Sequence, residues 1–321
     1  MMVKRIMLLL VLPLYISVLP WAAGAQTLTV AYPTPTWNTA LPLAVAQDQG
    51  FFRSEGFDVN RVYVRGGPTV VAALISGDAD YAIVAGIPAV RAIAGGAPLV
   101  IVGNHSTRVD YTLIGAKNIG SVDDLKGKVV GVTGPGGVSA FATIEALAKK
   151  GLHKDKDYKI LSIGNSPARM SALEARQIQA APFSSGERLV LEKKGYPVIL
   201  DIGETLPDFP FLVVLTSKQK VESRPKEIVS FLRALRRAME LIRNDPEKTV
   251  AAAKRQNLGG DSKVERQLLG HYAKSYSIAI SESNITALIH AAKLESDAEK
   301  IGGAGSFVVP SFAEKASAVQ R

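Results

Sequence analysis

No cysteine occurs among the 321 residues. That excludes disulfides, thiolate nucleophiles, cysteine-ligated zinc or iron–sulfur centres, and a lipid-modified N-terminal cysteine. Histidine is nearly as scarce, and His105, His153, His271 and His290 show no metal-ligand spacing, so no metal is expected. The Gly-x-Ser-x-Gly pattern of a nucleophile elbow is missing. Beyond residue 25 no stretch approaches ~18 uninterrupted apolar residues, the length that crosses a membrane. Dense basic clusters are also wanting. The tightest run, "RALRR" at 233–237, lies on a helical pattern with an apolar opposite face, so it reads as solvated helix surface and no nucleic-acid partner is expected.

What is present begins with an export signature. Lys4 and Arg5 precede an apolar run from Ile6 to Leu19, followed by Pro20 and the small-residue site Ala23-Gly24-Ala25. This describes a signal peptide over residues 1–25, with cleavage expected after Ala25. Its loss would lower the formal charge from +9 to +7 as Lys4 and Arg5 leave. Export without a lipid anchor points to the periplasm of a double-membrane cell. The remaining chain has the length of about two domains.

Self-similarity organises that chain. "TLTVAYPTPTWNTALPLAVAQDQGFF" (27–52) aligns with "GKVVGVTGPGGVSAFATIEALAKKGL" (127–152): strand, Gly/Pro-rich loop, helix. "GGPTVVAALISGDADYAIVA" (66–85) aligns with "NSPARMSALEARQIQAAPFS" (165–184), "APLVIVGN" (97–104) with "YPVILDIGE" (196–204), and "DYTLIGA" (110–116) with "DFPFLVVL" (208–215). Four matches in one order, all offset by about one hundred residues, indicate a duplication. Each half reads as a β-α-β-α-β lobe, and strands alternating with helices predict parallel sheets covered on both faces. The last pair supplies two crossing strands. Lobe one is expected over 26–110 plus 216–321, and lobe two over 111–215 including the crossing strands. Beyond Pro210 the chain turns helical, with starts at Asp245-Pro246 and Ser281-Glu282. The tail from Gly302 onward reads as a loose end.

The loop Gly134-Pro-Gly-Gly137 has the outline of a phosphate cradle but not its chemistry. In the Walker spacing the second glycine falls at Ser139 with no lysine after it, and the dinucleotide fingerprint breaks at the same residue. No nucleotide and no other cofactor is expected. The physics that remains is a helix N-terminus whose free N–H groups and positive dipole end suit an anion or a carbonyl-rich solute. Its repeat partner is "YPTPTWNT" (32–39). Two such tips facing one another would clamp a small molecule beyond the carboxyl ends of the strands. The candidate ligand-binding residues are therefore Trp37, Asn38, Thr39, Arg65, Gly67, Gly86, Asn104 and His105 in lobe one. Lobe two contributes Gly134, Gly136, Gly137, Ser139, Phe183, Ser184 and Phe209. His105-Ser106 near Asp110 hints at a hydrolytic triad, but neighbours along a strand point to opposite sides and no catalytic residue is assigned.

The segments "LAVAQDQGFFRSEGFDV" (43–59), "VAALISGDADYAI" (71–83), "SVDDLKGKVVGV" (121–132) and "RPKEIVSFLRALRRAMELIRNDPEKTV" (224–250) carry a family resemblance. The chain resembles the soluble substrate-binding proteins of bacterial ABC importers, in the nitrate/sulfonate/taurine and thiamine-precursor (NMT1/THI5-like) group. That resemblance implies an α/β type II periplasmic binding protein fold, two βα lobes joined by two crossing strands. It also implies closure on a ligand, and docking as a monomer on an inner-membrane ABC permease with its ATPase. Catalytic relatives of the fold use cysteine, which this chain lacks, so a non-enzymatic role is expected. Site polarity favours a sulfonate- or carboxylate-like organic anion. A pyrimidine-like heterocycle and a sensory role at a membrane receptor stay open.

Overall fold

The computed structural model describes residues 26–134, 137–207, 209–258, 262–294 and 302–318. The expected signal peptide and Gly136 lie outside them. Among the described residues ten strands form two five-stranded sheets: β1 Gln26–Tyr32, β2 Phe57–Tyr63, β3 Tyr81–Ala85, β4 Leu99–Ser106, β5 Thr112–Gly115, β6 Lys128–Val132, β7 Tyr158–Ser162, β8 Ala180–Phe183, β9 Val198–Asp201 and β10 Leu212–Ser217. The first sheet runs β2-β1-β3-β10-β4 and the second β7-β6-β8-β5-β9. These orders superimpose when each strand is replaced by its repeat partner.

Neither sheet is wholly parallel. β1 pairs in parallel with β2 and β3, and β6 with β7 and β8, whereas β10 runs against β3 and β4 and β5 against β8 and β9. The inserted antiparallel strand is the one that has crossed from the other lobe. Each lobe also holds one more strand than the repeat pattern showed. β2 and β7 are sheet edges, and the exposed face of β7 leaves its sequence "YKILS" without a clean apolar run.

Past β10 the chain is helical: Lys218–Ser223, Pro225–Asn244, Pro246–Arg255, Ser262–Ser275, Glu282–Leu294 and Ser311–Ser317. The Asp245 side chain accepts from the Lys248 amide at 2.9 Å, capping its helix as expected, and the Ser281 hydroxyl accepts from the Asn284 amide at 3.3 Å. These helices pack on the first lobe, and the Ser262–Ser275 helix also meets the second-lobe helix Ser185–Lys193. Phe231 is stacked between Tyr81 (centroids 4.0 Å apart) and Phe52 (5.5 Å), joining the longest helix to β3. The open edge of β4 is covered too: the Asn104 amide donates to Ile278 O at 3.0 Å and the Ile101 amide to Phe307 O at 2.9 Å. The tail expected to be loose is therefore packed, with Phe307, Val308 and Phe312 buried. Apolar side chains at those positions gain more from burial than the glycines before them cost.

A hollow of about 720 Å³ lies at the pole of the first lobe where β1, β3 and β4 begin, lined by Ile75, Asp80, Lys220 and Arg224. Its charges satisfy one another: Lys220 Nζ lies 2.8 Å from Asp80 and 2.7 Å from Glu227, which Arg224 also meets at 3.2 Å.

Candidate functional site

Between the lobes, beyond the carboxyl ends of the parallel strands, lies a cleft of about 660 Å³. Each wall has a helix tip. In the first lobe the Thr39 and Ala40 amides both donate to Thr36 O, which starts the Trp37–Asp48 helix, and the Thr39 hydroxyl bonds the Thr34 hydroxyl at 2.9 Å. In the second, the Ala140 and Phe141 amides donate to Gly137 O and the Ser139 hydroxyl bonds Thr133 Oγ1 and accepts from the Thr133 amide at 3.1 Å. A hydroxyl on the first turn thus ties each tip back to its own strand-end loop.

Arg169 is the cleft's embedded cation. It sits on the Ser166–Glu174 helix, 2% exposed, yet lines the cleft. Its Nη1 donates to Gly164 O at 2.6 Å, Nη2 to Ser166 Oγ at 2.9 Å and Nε to Pro182 O at 3.2 Å. All three acceptors are neutral, and among the described residues no carboxylate lies within 4 Å. Burial pulls its pKa down, while Tyr111 and Glu187 nearby raise it; a guanidinium nonetheless stays charged at neutral pH.

The two carboxylates of the cleft are, by contrast, engaged by the chain. Asp110, buried just before β5, accepts from Asn38 Nδ2 at 3.1 Å in one lobe. On its other oxygen it accepts from the Ser185 amide at 3.3 Å and the Ser185 hydroxyl in the other lobe, with His271 Nε2 3.3 Å away. Glu187 Oε2 accepts from the Ser184 amide and hydroxyl, both at 2.9 Å. Tyr111 and Phe211 form the floor, their rings 5.8 Å apart and near perpendicular. Burial pushes the Tyr111 hydroxyl up to about 12.

Of the residues expected from sequence, Asn38, Thr39, Gly67, Ser139 and Ser184 line this cleft. The other described ones lie elsewhere. Trp37 is in the core, its carbonyl accepting from Tyr276 Oη at 2.9 Å. Arg65 is exposed outside the lining. Gly86 is an apposition point, since a Cβ there would stand 2.6 Å from Leu288 and 2.7 Å from Pro210 O. Asn104 is buried and donates to Ala279 O, and His105 is fully buried with burial holding its pKa down at about 4. Gly134 and Gly137 shape the loop behind the tip: the Gly137 amide donates to Gly134 O, and a Cβ on Gly137 would stand 2.9 Å from Thr133 Oγ1. Phe183 is buried under the Arg169 guanidinium, 5.5 Å from its ring, and Phe209 stacks on Phe141 at 5.2 Å.

Sequence reading did not single out Tyr111, Arg169, Glu187, Phe211 or Tyr272 as site residues. Arg169 was discoverable. With Ala172 and Leu173, three and four residues on, it shares the buried face of its helix, an odd place for an arginine unless something there needs it. Among the described residues no group of three or more His, Asp or Glu is placed to hold a metal, and no helix is long and apolar enough to cross a membrane.

The same architecture recurs in solved structures. The alkanesulfonate-binding protein SsuA of Xanthomonas axonopodis pv. citri, bound to MOPS, is 23% identical, with 91% of this chain and 99% of that one covered and a TM-score of 0.68. The periplasmic aliphatic sulphonate binding protein SsuA of Escherichia coli is 22% identical, covering 84% and 91%, with a TM-score of 0.69. A Candida albicans protein with the generic periplasmic binding protein fold is 17% identical, covering 90% and 94%, with a TM-score of 0.64. At such identities the likeness establishes the fold, which is the type II periplasmic binding protein fold. The family described as NMT1/THI5 like matches residues 37–249, from the first helix tip to the helices behind the first lobe, and the chain belongs to that family.

Proposed function

We propose that the protein is the extracytoplasmic solute-binding component of an ABC importer, which closes its lobes on a small organic anion and presents it to a membrane permease. The observation that carries the ligand class is Arg169: a buried guanidinium, lining the cleft and bonded only to neutral acceptors. A sulfonate or carboxylate beside it gains charge-assisted hydrogen bonds, with the tips at Thr39 and Ser139 supplying further donors. Ligand touching both walls favours the closed arrangement, because only that arrangement makes both sets of contacts. The sulfonate-binding proteins of the same fold support this reading. So does the family match.

Export by residues 1–25, lobe boundaries near Asp110 and Leu215, a monomeric state and the absence of turnover belong to the same proposal. A thermal-shift screen tests it: alkanesulfonates or carboxylates at 100 times their Kd should add about 2.7 kcal/mol of stability. Arg169→Lys, which keeps the charge but loses the planar fork, should weaken the hit at least tenfold. Stabilisation by uncharged or cationic solutes alone would overturn the anion assignment.

A further inference from the structure

We infer that the anion this cleft receives carries an aromatic ring, as an aryl sulfonate or aryl carboxylate does, and is neither inorganic nor a short aliphatic acid. The inference deepens the anion reading above and rests on it.

Three observations carry it. Tyr111 and Phe211 stand one residue before β5 and β10, so each crossing between the lobes delivers one ring to the floor. Both are only partly buried, and their centroids are 5.8 Å apart at 73°, an edge-to-face pair. The apolar surface continues from that pair through Ala85, Pro88 and Leu212, with Val138 on the far wall and Tyr272 above. Aromatic rings pair favourably edge-to-face or offset with centroids 4.5–7 Å apart. A flat ring entering here meets such partners, whereas an ion or a two-carbon acid leaves the floor in water.

The polar groups divide in a way that fits one head and one body. Arg169 donates only to neutral acceptors and lines the same cleft as Tyr111. Head and ring positions therefore share one cleft. Asp110 accepts on both oxygens from Asn38 and Ser185 and Glu187 accepts on Oε2 from Ser184, so both carboxylates are held in place by the chain's own donors.

The test is calorimetric titration of the mature chain with benzenesulfonate, hexanesulfonate, ethanesulfonate, benzoate and benzamide. Benzenesulfonate should bind at least tenfold more tightly than ethanesulfonate and more tightly than hexanesulfonate, which matches its carbon count. Phe211→Leu and Tyr111→Leu should each move the benzene-to-hexane affinity ratio towards one, with circular dichroism confirming that the variants are folded. Hexanesulfonate binding as well as benzenesulfonate overturns the ring while leaving the anion reading standing. Binding of benzamide alone, or of none of the five, overturns both.

Discussion

Asp110→Ala tests whether one carboxylate holds the cleft's two walls in register. The substitution removes an acceptor that takes Asn38 Nδ2 at 3.1 Å, the Ser185 amide at 3.3 Å and the Ser185 hydroxyl. Hydrogen bonds to a charged group contribute about 1.5–3 kcal/mol each, and a buried donor left without a partner costs about 1–3 kcal/mol. Water from the cleft can reach part of this site, so a net loss of about 3 kcal/mol is expected rather than the full sum. At roughly 2–4 °C per kcal/mol for a protein of this size class, the melting temperature should fall by about 6–12 °C. Asp110→Asn supplies the internal control. Its amide oxygen can face Ser185, and its NH2 can face Asn38 once the Asn38 amide turns over, because Asn38 Oδ1 has no partner. The isostere should therefore recover more than half of the loss, as read by differential scanning calorimetry of all three proteins. An alanine variant melting within about 2 °C of the parent, or an asparagine variant as unstable as the alanine one, would refute the reasoning.

Three further outcomes follow from the fold. Burial holds the His105 pKa down at about 4, against about 6.5 in an unfolded chain. The unfolded state alone takes up this proton between those values. Stability is thus fully present above about pH 6.5 and declines by about 3 kcal/mol as the pH drops to 4, and His105→Gln should show a shallower acid slope in denaturation curves. Gly86→Ala drives a methyl to within 2.7 Å of both Leu288 and Pro210 O, and should cost about 1–3 kcal/mol in urea titration through overpacking. Phe231→Ala empties the space between Tyr81 and Phe52, and should cost about 3–5 kcal/mol by the same assay.

Most of the architecture was legible because the sequence states it twice. The match between residues 27–52 and 127–152 predicted β1 and β6 and the helices Trp37–Asp48 and Val138–Ala148, all of which form. The edge strands β2 and β7 escaped, whereas the edges β4 and β9 were read from their apolar runs; β7 has buried only Tyr158. The tip hydroxyls Thr39 and Ser139 were readable from helix-start chemistry. Trp37 was misread for a general reason: an aromatic at a helix start looks alike whether it faces a ligand or the core, and only the packing of Tyr276 behind it decides.

The floor of the cleft could have been derived, and the route shows what repeat arguments omit. If the parallel strands of both sheets end at a shared crevice, a chain crossing that crevice enters the next sheet from its carboxyl-end side. It must then run against its neighbours. Antiparallel β5 and β10 are thus a consequence of where the site lies, and so is the position of whatever precedes them. The residues just before the crossing strands have to lie on the floor. On the sequence reading the second crossing segment is 208–215, with Phe209 at the site as a strand-end residue. The strand in fact begins at Leu212, which places Phe211 on the floor opposite Tyr111 and leaves Phe209 to stack on Phe141 inside the second lobe. A shift of four residues in one boundary exchanged a cleft residue for a core residue, because boundaries are what sequence specifies least.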